Sequence, residues 1–108
     1  MALKKSEIKA PVLPKEAVPV AELGGEVIVR GLLLSERLAL FAGINEEGKA
    51  FAHIPRVLAA TVQDADGLPV FNEQEWEAFG ASSFEAALRL FAVARRLSGL
   101  DAEAAEKN

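Results

Sequence analysis

The amino-acid sequence predicts an α+β domain that is predominantly helical, with an N-terminal β-hairpin followed by three to four helices. Three observations lead to this class: two β-prone runs around a double glycine, several helix-start and turn signals after them, and a long apolar helical pattern near the C-terminus. At 108 residues the chain fits one small domain. We expect a flexible arm over residues 1–15, a single domain over residues 16–100 and a flexible tail over residues 101–108.

The hairpin prediction depends on two short runs rich in valine. Residues 18–20 and 26–30 flank Gly24-Gly25, and a double glycine between β-prone runs is typical of a hairpin turn. Pro19 has no N–H to donate to a neighbouring strand, so the first strand is expected at an edge of the sheet.

Two helices are predicted in the middle of the chain. Ser35 is a typical N-cap for a helix over about residues 36–42, and the turn-forming sequence of residues 45–48 then interrupts the helical pattern. Pro55 suits the first turn of a second helix, and the apolar residues after it predict a helix over about residues 55–62.

The region from residue 61 to residue 100 predicts a turn, a short helix, a turn and a long helix. Residues 64–67, with the sequence Asp-Ala-Asp-Gly, form the turn signal. Asn72, followed by Glu-Gln-Glu, predicts the start of the short helix. The long helix is expected over about residues 84–98, with Gly99 after its end.

This last helix is apolar on two sides. Phe84, Leu88 and Phe91 project to one side, and Leu90, Val93 and Leu97 project to roughly the opposite side. A helix of a monomer usually buries one stripe a little over ~100° wide. Either this helix is sandwiched at the centre of the domain, or one of its sides binds a partner. The candidates for that partner-binding side are Leu90, Val93 and Leu97.

The composition favours protein–protein interaction and counts against other classes of partner. Hydrophobic residues make up 51% of the chain and charged residues 26%, so we expect part of the apolar surface to end in an interface, including contacts within a homo-oligomer. A net charge of -4 with mixed signs gives no cationic stripe for nucleic acid. No segment reaches the ~18 apolar residues of a membrane span. The absence of cysteine suits a reducing compartment such as the cytoplasm.

No pattern indicates a catalytic, cofactor-binding or metal-binding residue, so we expect a protein that is not an enzyme. His53, the only histidine, precedes a helix start, and a structural role is favoured over catalysis or metal binding. The sequence from Val62 to Glu73 places carboxylates at some EF-hand positions, but Val62 occupies the first ligand position and Pro69 the eighth. An Asp/Gly turn accounts for the same residues.

The motifs of the chain follow one another in a distinctive order. They are Glu26-Val27-Ile28-Val29-Arg30-Gly31-Leu32, Ser35-Glu36-Arg37, Asp64-x-x-Gly67, Phe71, an acidic helix ending in Phe79-Gly80, and Leu88-x-x-Phe91-x-x-x-Arg95-x-Leu97-x-Gly99. This order resembles the tail assembly chaperones of long-tailed phages and prophages. The resemblance covers about residues 17–100.

The resemblance implies a non-enzymatic role without cofactors or metals. Proteins of this family bind the long, helical tape measure protein and help to recruit the tail tube protein while the tail is built in the host cytoplasm. They are absent from the mature virion. Relatives commonly make a longer product by ribosomal frameshifting near the end of the short reading frame, and Glu106-Lys107-Asn108 can be encoded with a slippery heptamer.

Two other functions stay open. The first alternative is a structural phage protein, such as a head–tail connector or a tail-completion protein, which would remain in the virion. The less favoured alternative is a small DNA-binding or antitoxin-like regulator, against which the acidic balance of the chain counts.

Overall fold

The computed structural model describes residues 1–41 and 53–99, which form a three-stranded antiparallel sheet and four α-helices. The strands are β1 (Lys15–Val20), β2 (Gly25–Arg30) and β3 (Val62–Gln63), and the helices are α1 (Leu34–Phe41), α2 (Ile54–Thr61), α3 (Glu73–Ser82) and α4 (Phe84–Leu97). The predicted α+β class, with an N-terminal hairpin followed by helices, is confirmed. The predicted break at residues 45–48 and the tail at 101–108 lie outside the described residues.

The predicted hairpin consists of β1 and β2. Val18 lies opposite Val27 in an antiparallel register. The strands are joined by a single 3-10 turn and Gly24, whose φ of 90° lies in the left-handed region that glycine adopts without steric cost. The strand order is β1-β2-β3, so Pro19 lies on an edge strand, as predicted.

The third strand is a feature that the sequence analysis did not predict. Val62 follows α2 directly and lies opposite Val29 of β2. The strand has only two residues, so it shows no alternation of apolar and polar residues. Its position is set by pairing with β2 and by the complete burial of Val62.

The core lies between one face of the sheet and the helices. The buried side chains of the sheet are all valines: Val18, Val20, Val27, Val29 and Val62. The helix α4 contacts β1 and β2, and it also contacts α2 and α3. Its buried residues are Ala86, Ala87, Leu90, Phe91 and Ala94. Of the two alternatives left open for this helix, the structure shows the central position.

The start of α1 differs from the prediction. The helix begins at Leu34, so Ser35 lies inside it and is not the N-cap. The carboxylate of Glu36 accepts hydrogen bonds from Leu33 N at 2.9 Å and from both terminal nitrogens of Arg30 at 2.8 and 2.9 Å. The hydrogen bond from Arg30 is the main cause that lowers the pKa of Glu36, and partial burial opposes it. Glu36 is the third residue of the helix, and its carboxylate bonds back to the backbone N–H of Leu33, the residue before the helix.

The residues before α3 form the predicted turn. The Oδ1 atom of Asp64 accepts hydrogen bonds from Asp66 N at 2.8 Å and Leu68 N at 3.0 Å. Gly67 has a φ of 83°, which suits glycine at this position. This is the Asp/Gly turn that was favoured over an EF-hand.

Helix α3 begins with a capping box and carries an aromatic cluster. Asn72 Oδ1 accepts from Glu75 N at 2.8 Å, and Glu75 Oε1 accepts from Asn72 N at 3.0 Å. Trp76 is 1% exposed and makes edge-to-face contacts with Phe71 and Phe79, with ring centroids 4.9 and 5.3 Å apart. The predicted start of this helix is confirmed.

Candidate partner-binding surfaces

The partner-binding residues predicted on α4 do not form an open surface. Leu90 is fully buried in the core, and Val93 and Leu97 are partly buried and pack against it. The prediction was wrong for Leu90, because the side of α4 that carries it is covered by the rest of the domain. A partner of the folded monomer therefore has access only to the exposed parts of Val93 and Leu97.

The opposite side of α4 contributes to a groove that we call the α2–α4 groove. It has a volume of about 180 Å³, and its lining residues come from α2, α3 and α4: Ile54, Pro55, Trp76, Glu77, Gly80, Phe84 and Ala87. Phe84, at the start of α4, is 61% exposed. Gly80 adds no side chain to the groove, and a Cβ atom at this position would lie 3.8 Å from Ala87 Cβ. The groove is therefore open and mainly apolar.

The α3 side of the groove is acidic. Glu77 lines the groove, and Glu73 lies one helical turn before it on the same face of α3. Arg56 Nε lies 4.0 Å from Glu73 Oε1, and both side chains are about half exposed. Because α3 carries no lysine or arginine, this side of the groove favours a partner with positive charge.

A second apolar surface lies on α1, and we call it the α1 leucine face. Leu34 and Leu38 are 71% and 62% exposed, and Leu33 just before the helix is 48% exposed. Positions 34 and 38 are four residues apart, so their side chains lie on one face of the helix. The sequence contains this signal in a run of three leucines at residues 32–34 followed by Leu38, but the sequence analysis did not identify it as a surface.

The N-terminal arm, residues 1–14, is a third source of exposed apolar side chains. Met1, Leu3, Ile8 and Val12 are all more than half exposed. Between them lie three lysines, Lys4, Lys5 and Lys9, and one glutamate, Glu7. Only Leu13 of the arm is partly buried. The arm therefore combines positive charge with apolar side chains that the described residues leave uncovered.

The described residues offer contact surfaces and no cluster of catalytic or metal-binding groups. Across residues 1–41 and 53–99, no group of three or more His, Asp or Glu side chains lies close enough together to hold a metal ion. His53 is partly buried at the N-cap of α2. In the same part of the chain, no helix combines the length and hydrophobicity needed to cross a bilayer.

Comparisons with known proteins add no relative. No protein-family model, no curated protein and no solved structure matches this chain.

Proposed function

We propose that this chain is a tail assembly chaperone of a long-tailed phage or prophage, which binds the tape measure protein in the host cytoplasm and performs no catalysis. The order of motifs along residues 17–100 supports the family. The observation that carries the proposal is the α1 leucine face, because three leucines on and before one short helix stand about half exposed or more. Single exposed leucines are common on proteins, whereas a contiguous set marks an interaction surface.

The α1 leucine face suits a helical client. Leu34 and Leu38 form a short apolar ridge, and such a ridge packs into the groove between side chains of another helix. Complete burial of one leucine contributes about 1.5–3 kcal/mol. Contact with two or three leucines per copy is therefore weak, and many copies along one rod-like client would bind with higher total affinity. This is the pattern expected of a protein that covers a long helical client and is later removed.

The tail tube protein is the second proposed partner. We place its binding site on the longer frameshifted product that relatives of this family make. The short chain then supplies the client-binding domain, and the additional segment supplies the contact with the tube subunit. A silent change that removes the slippery heptamer from the native gene is expected to abolish the longer product on an immunoblot. A longer product that persists after this change contradicts the frameshift.

Co-expression with the tape measure protein tests the main proposal. We expect the tape measure protein to be soluble and to copurify with this chain, and to aggregate without it. The substitution Leu38→Glu places a charge on the α1 leucine face and is expected to reduce copurification at least tenfold, which corresponds to about 1.4 kcal/mol. Ala39→Glu is the matched control, because Ala39 is the next residue of the same helix and is also exposed.

Three results would contradict parts of the proposal. A tape measure protein that is equally soluble without this chain, and does not copurify with it, removes the chaperone function. Equal copurification of the Leu38→Glu and Ala39→Glu variants removes the α1 leucine face as the binding surface. Mass spectrometry that finds the chain in purified virions favours the alternative, a head–tail connector or tail-completion protein.

A further inference from the structure

We infer that the N-terminal arm of one copy binds in the α2–α4 groove of a second copy. The inference concerns contacts between copies of this chain and does not depend on the proposed client. The exposed side chains of the arm, the shape of the groove and the charges of both support it.

The arm carries apolar side chains that are largely exposed to solvent. Leu3, Ile8 and Val12 are 65%, 57% and 84% exposed. Moving a large aliphatic side chain from water into an apolar contact is favourable. The arm is fixed at its base, because Gly31 N donates a hydrogen bond of 2.9 Å to Pro14 O. Residues 1–12 beyond this base are exposed, which leaves them accessible to another molecule.

The groove has the right size for such a side chain. Its volume is about 180 Å³, slightly more than the engineered cavity of about 150 Å³ that accepts a benzene molecule. One leucine or isoleucine side chain fills a space of this size. Phe84 and Ala87 on one side and Ile54 and Pro55 on the other provide apolar contacts. An inserted side chain would also reduce the exposure of the Phe84 ring.

The charges of the arm and the groove are complementary. Lys9 directly follows Ile8 and Lys4 and Lys5 precede it, whereas Glu7, the single acidic residue among them, accepts a hydrogen bond from Lys4 N at 2.9 Å. On the other side, Glu77 lines the groove, and Glu73, one turn away on the same helix, lies 4.0 Å from Arg56 Nε. Opposite charges around an apolar contact fix its orientation and accelerate association. A client segment without positive charge lacks this second interaction, so the basic arm fits the groove better.

The arm and the groove of the same copy lie apart in the described structure. The base of the arm at Pro14 lies near the C-terminal end of α4, since a Cβ atom at Gly31 would lie 3.2 Å from Pro14 Cγ and 2.7 Å from Leu97 O. Phe84 is at the other end of this helix, roughly 20 Å away at 1.5 Å per residue. In the described structure the arm is exposed and the groove of the same copy is open. Each copy thus offers one arm and one groove to its neighbours, which is a heterologous contact.

A mixing experiment tests this arrangement. One variant, Ile8→Glu with Val12→Glu, has a defective arm and an intact groove, and the other, Phe84→Lys, has a defective groove and an intact arm. All three side chains are more than half exposed, so the monomer should fold normally, and circular dichroism checks this. We expect the wild type to associate as its concentration rises and each variant alone to sediment as a monomer.

An equal mixture of the two variants should form a heterodimer and nothing larger, since only one intact arm and one matching intact groove remain. Analytical ultracentrifugation measures the mass. Trp76 is the only tryptophan of the chain and lines the groove, so its emission should change on mixing. Leu38→Glu is the control outside both surfaces and should associate like the wild type. Loss of client binding in that variant with normal self-association separates this inference from the proposed function.

A charge exchange provides an independent measurement. Replacing Lys5 and Lys9 by glutamate, or Glu73 and Glu77 by lysine, should weaken self-association at least tenfold, and the combination of both changes in one chain should restore it. Three results overturn the inference: a wild type that stays monomeric at about 1 mM, a mixture of the two variants that stays monomeric, or a Trp76 emission in the wild type that depends on the arm but not on concentration. The last result would place the arm in the groove of its own copy.

Discussion

The substitution Gly31→Ala tests the packing between the end of β2 and the end of α4. A Cβ atom at residue 31 would lie 2.7 Å from Leu97 O, 3.3 Å from Leu97 C and 3.2 Å from Pro14 Cγ. Non-bonded carbon contacts have their optimum near 3.5–4.0 Å, so α4 or the base of the arm has to move by roughly 0.5 Å. The neighbour is backbone, which cannot rotate away as the end of a flexible side chain can. Overpacking of this kind costs about 2 kcal/mol, and the expected decrease in Tm is about 10 °C.

A second glycine provides the matched control for this substitution. Gly25 lies at the start of β2, and a Cβ atom at this position meets no atom within 4 Å. Its φ is not positive, so alanine fits its backbone conformation and should change the free energy of unfolding by less than about 1 kcal/mol. Urea unfolding followed by Trp76 emission measures both variants. If Gly31→Ala unfolds at the same urea concentration as Gly25→Ala, the close approach of α4 to residue 31 is wrong.

Three further substitutions test an ion pair, a helix cap and the burial of a side chain on α4. Glu36→Gln should lower the free energy of unfolding by about 1 kcal/mol at pH 7. The folded-state pKa of Glu36 lies below its unfolded value. The stability difference between the variant and the wild type is therefore complete above the unfolded pKa of about 4.3 and disappears as the pH falls through the folded pKa. Urea titrations at several pH values measure this difference, and a difference that persists at low pH would contradict the pairing with Arg30. Asn72→Ala removes the N-cap of α3 and should cost about 1 kcal/mol in thermal unfolding, so an unchanged Tm would argue against the capping box. Leu90→Ala should cost about 2–5 kcal/mol and Val93→Ala clearly less, because only Leu90 is fully buried; equal losses would show that Val93 is buried as deeply as Leu90.

The elements that the sequence predicted have local causes. The turn at Asp64 forms through hydrogen bonds to residues two and four positions later, and the start of α3 forms through the reciprocal bonds of Asn72 and Glu75. The hairpin follows from Gly24 in a left-handed conformation between two β-prone runs. In each case the determining contacts lie within a few residues, so the pattern of residue types contains the information.

The features that the sequence did not predict depend on distant residues. β3 exists because Val62 pairs with Val29, which lies 33 positions earlier in the chain. The orientation of α4 is the second example. Because α4 has apolar residues on both sides, its sequence pattern alone could not predict which side is covered by the domain. In the structure Leu90 is buried and Phe84 is 61% exposed. The α2–α4 groove was missed for this reason, since its position depends on how α2 and α3 pack against α4.

Pro19 removes a hydrogen-bond donor from the exposed edge of the sheet. β1 is an outer strand, and the backbone of such a strand can serve as a template for a further strand from another chain. The hydrogen bond from Gly31 N to Pro14 O indicates that the backbone N–H and C=O groups of the even-numbered residues of β1 point toward β2. The backbone groups of residue 19 therefore point away from β2, toward the open edge of the sheet. A proline there offers a carbonyl but no amide hydrogen, and a continuous ladder of strands cannot grow past it. The outer edge of β1 is therefore a poor site for the addition of a strand from another chain.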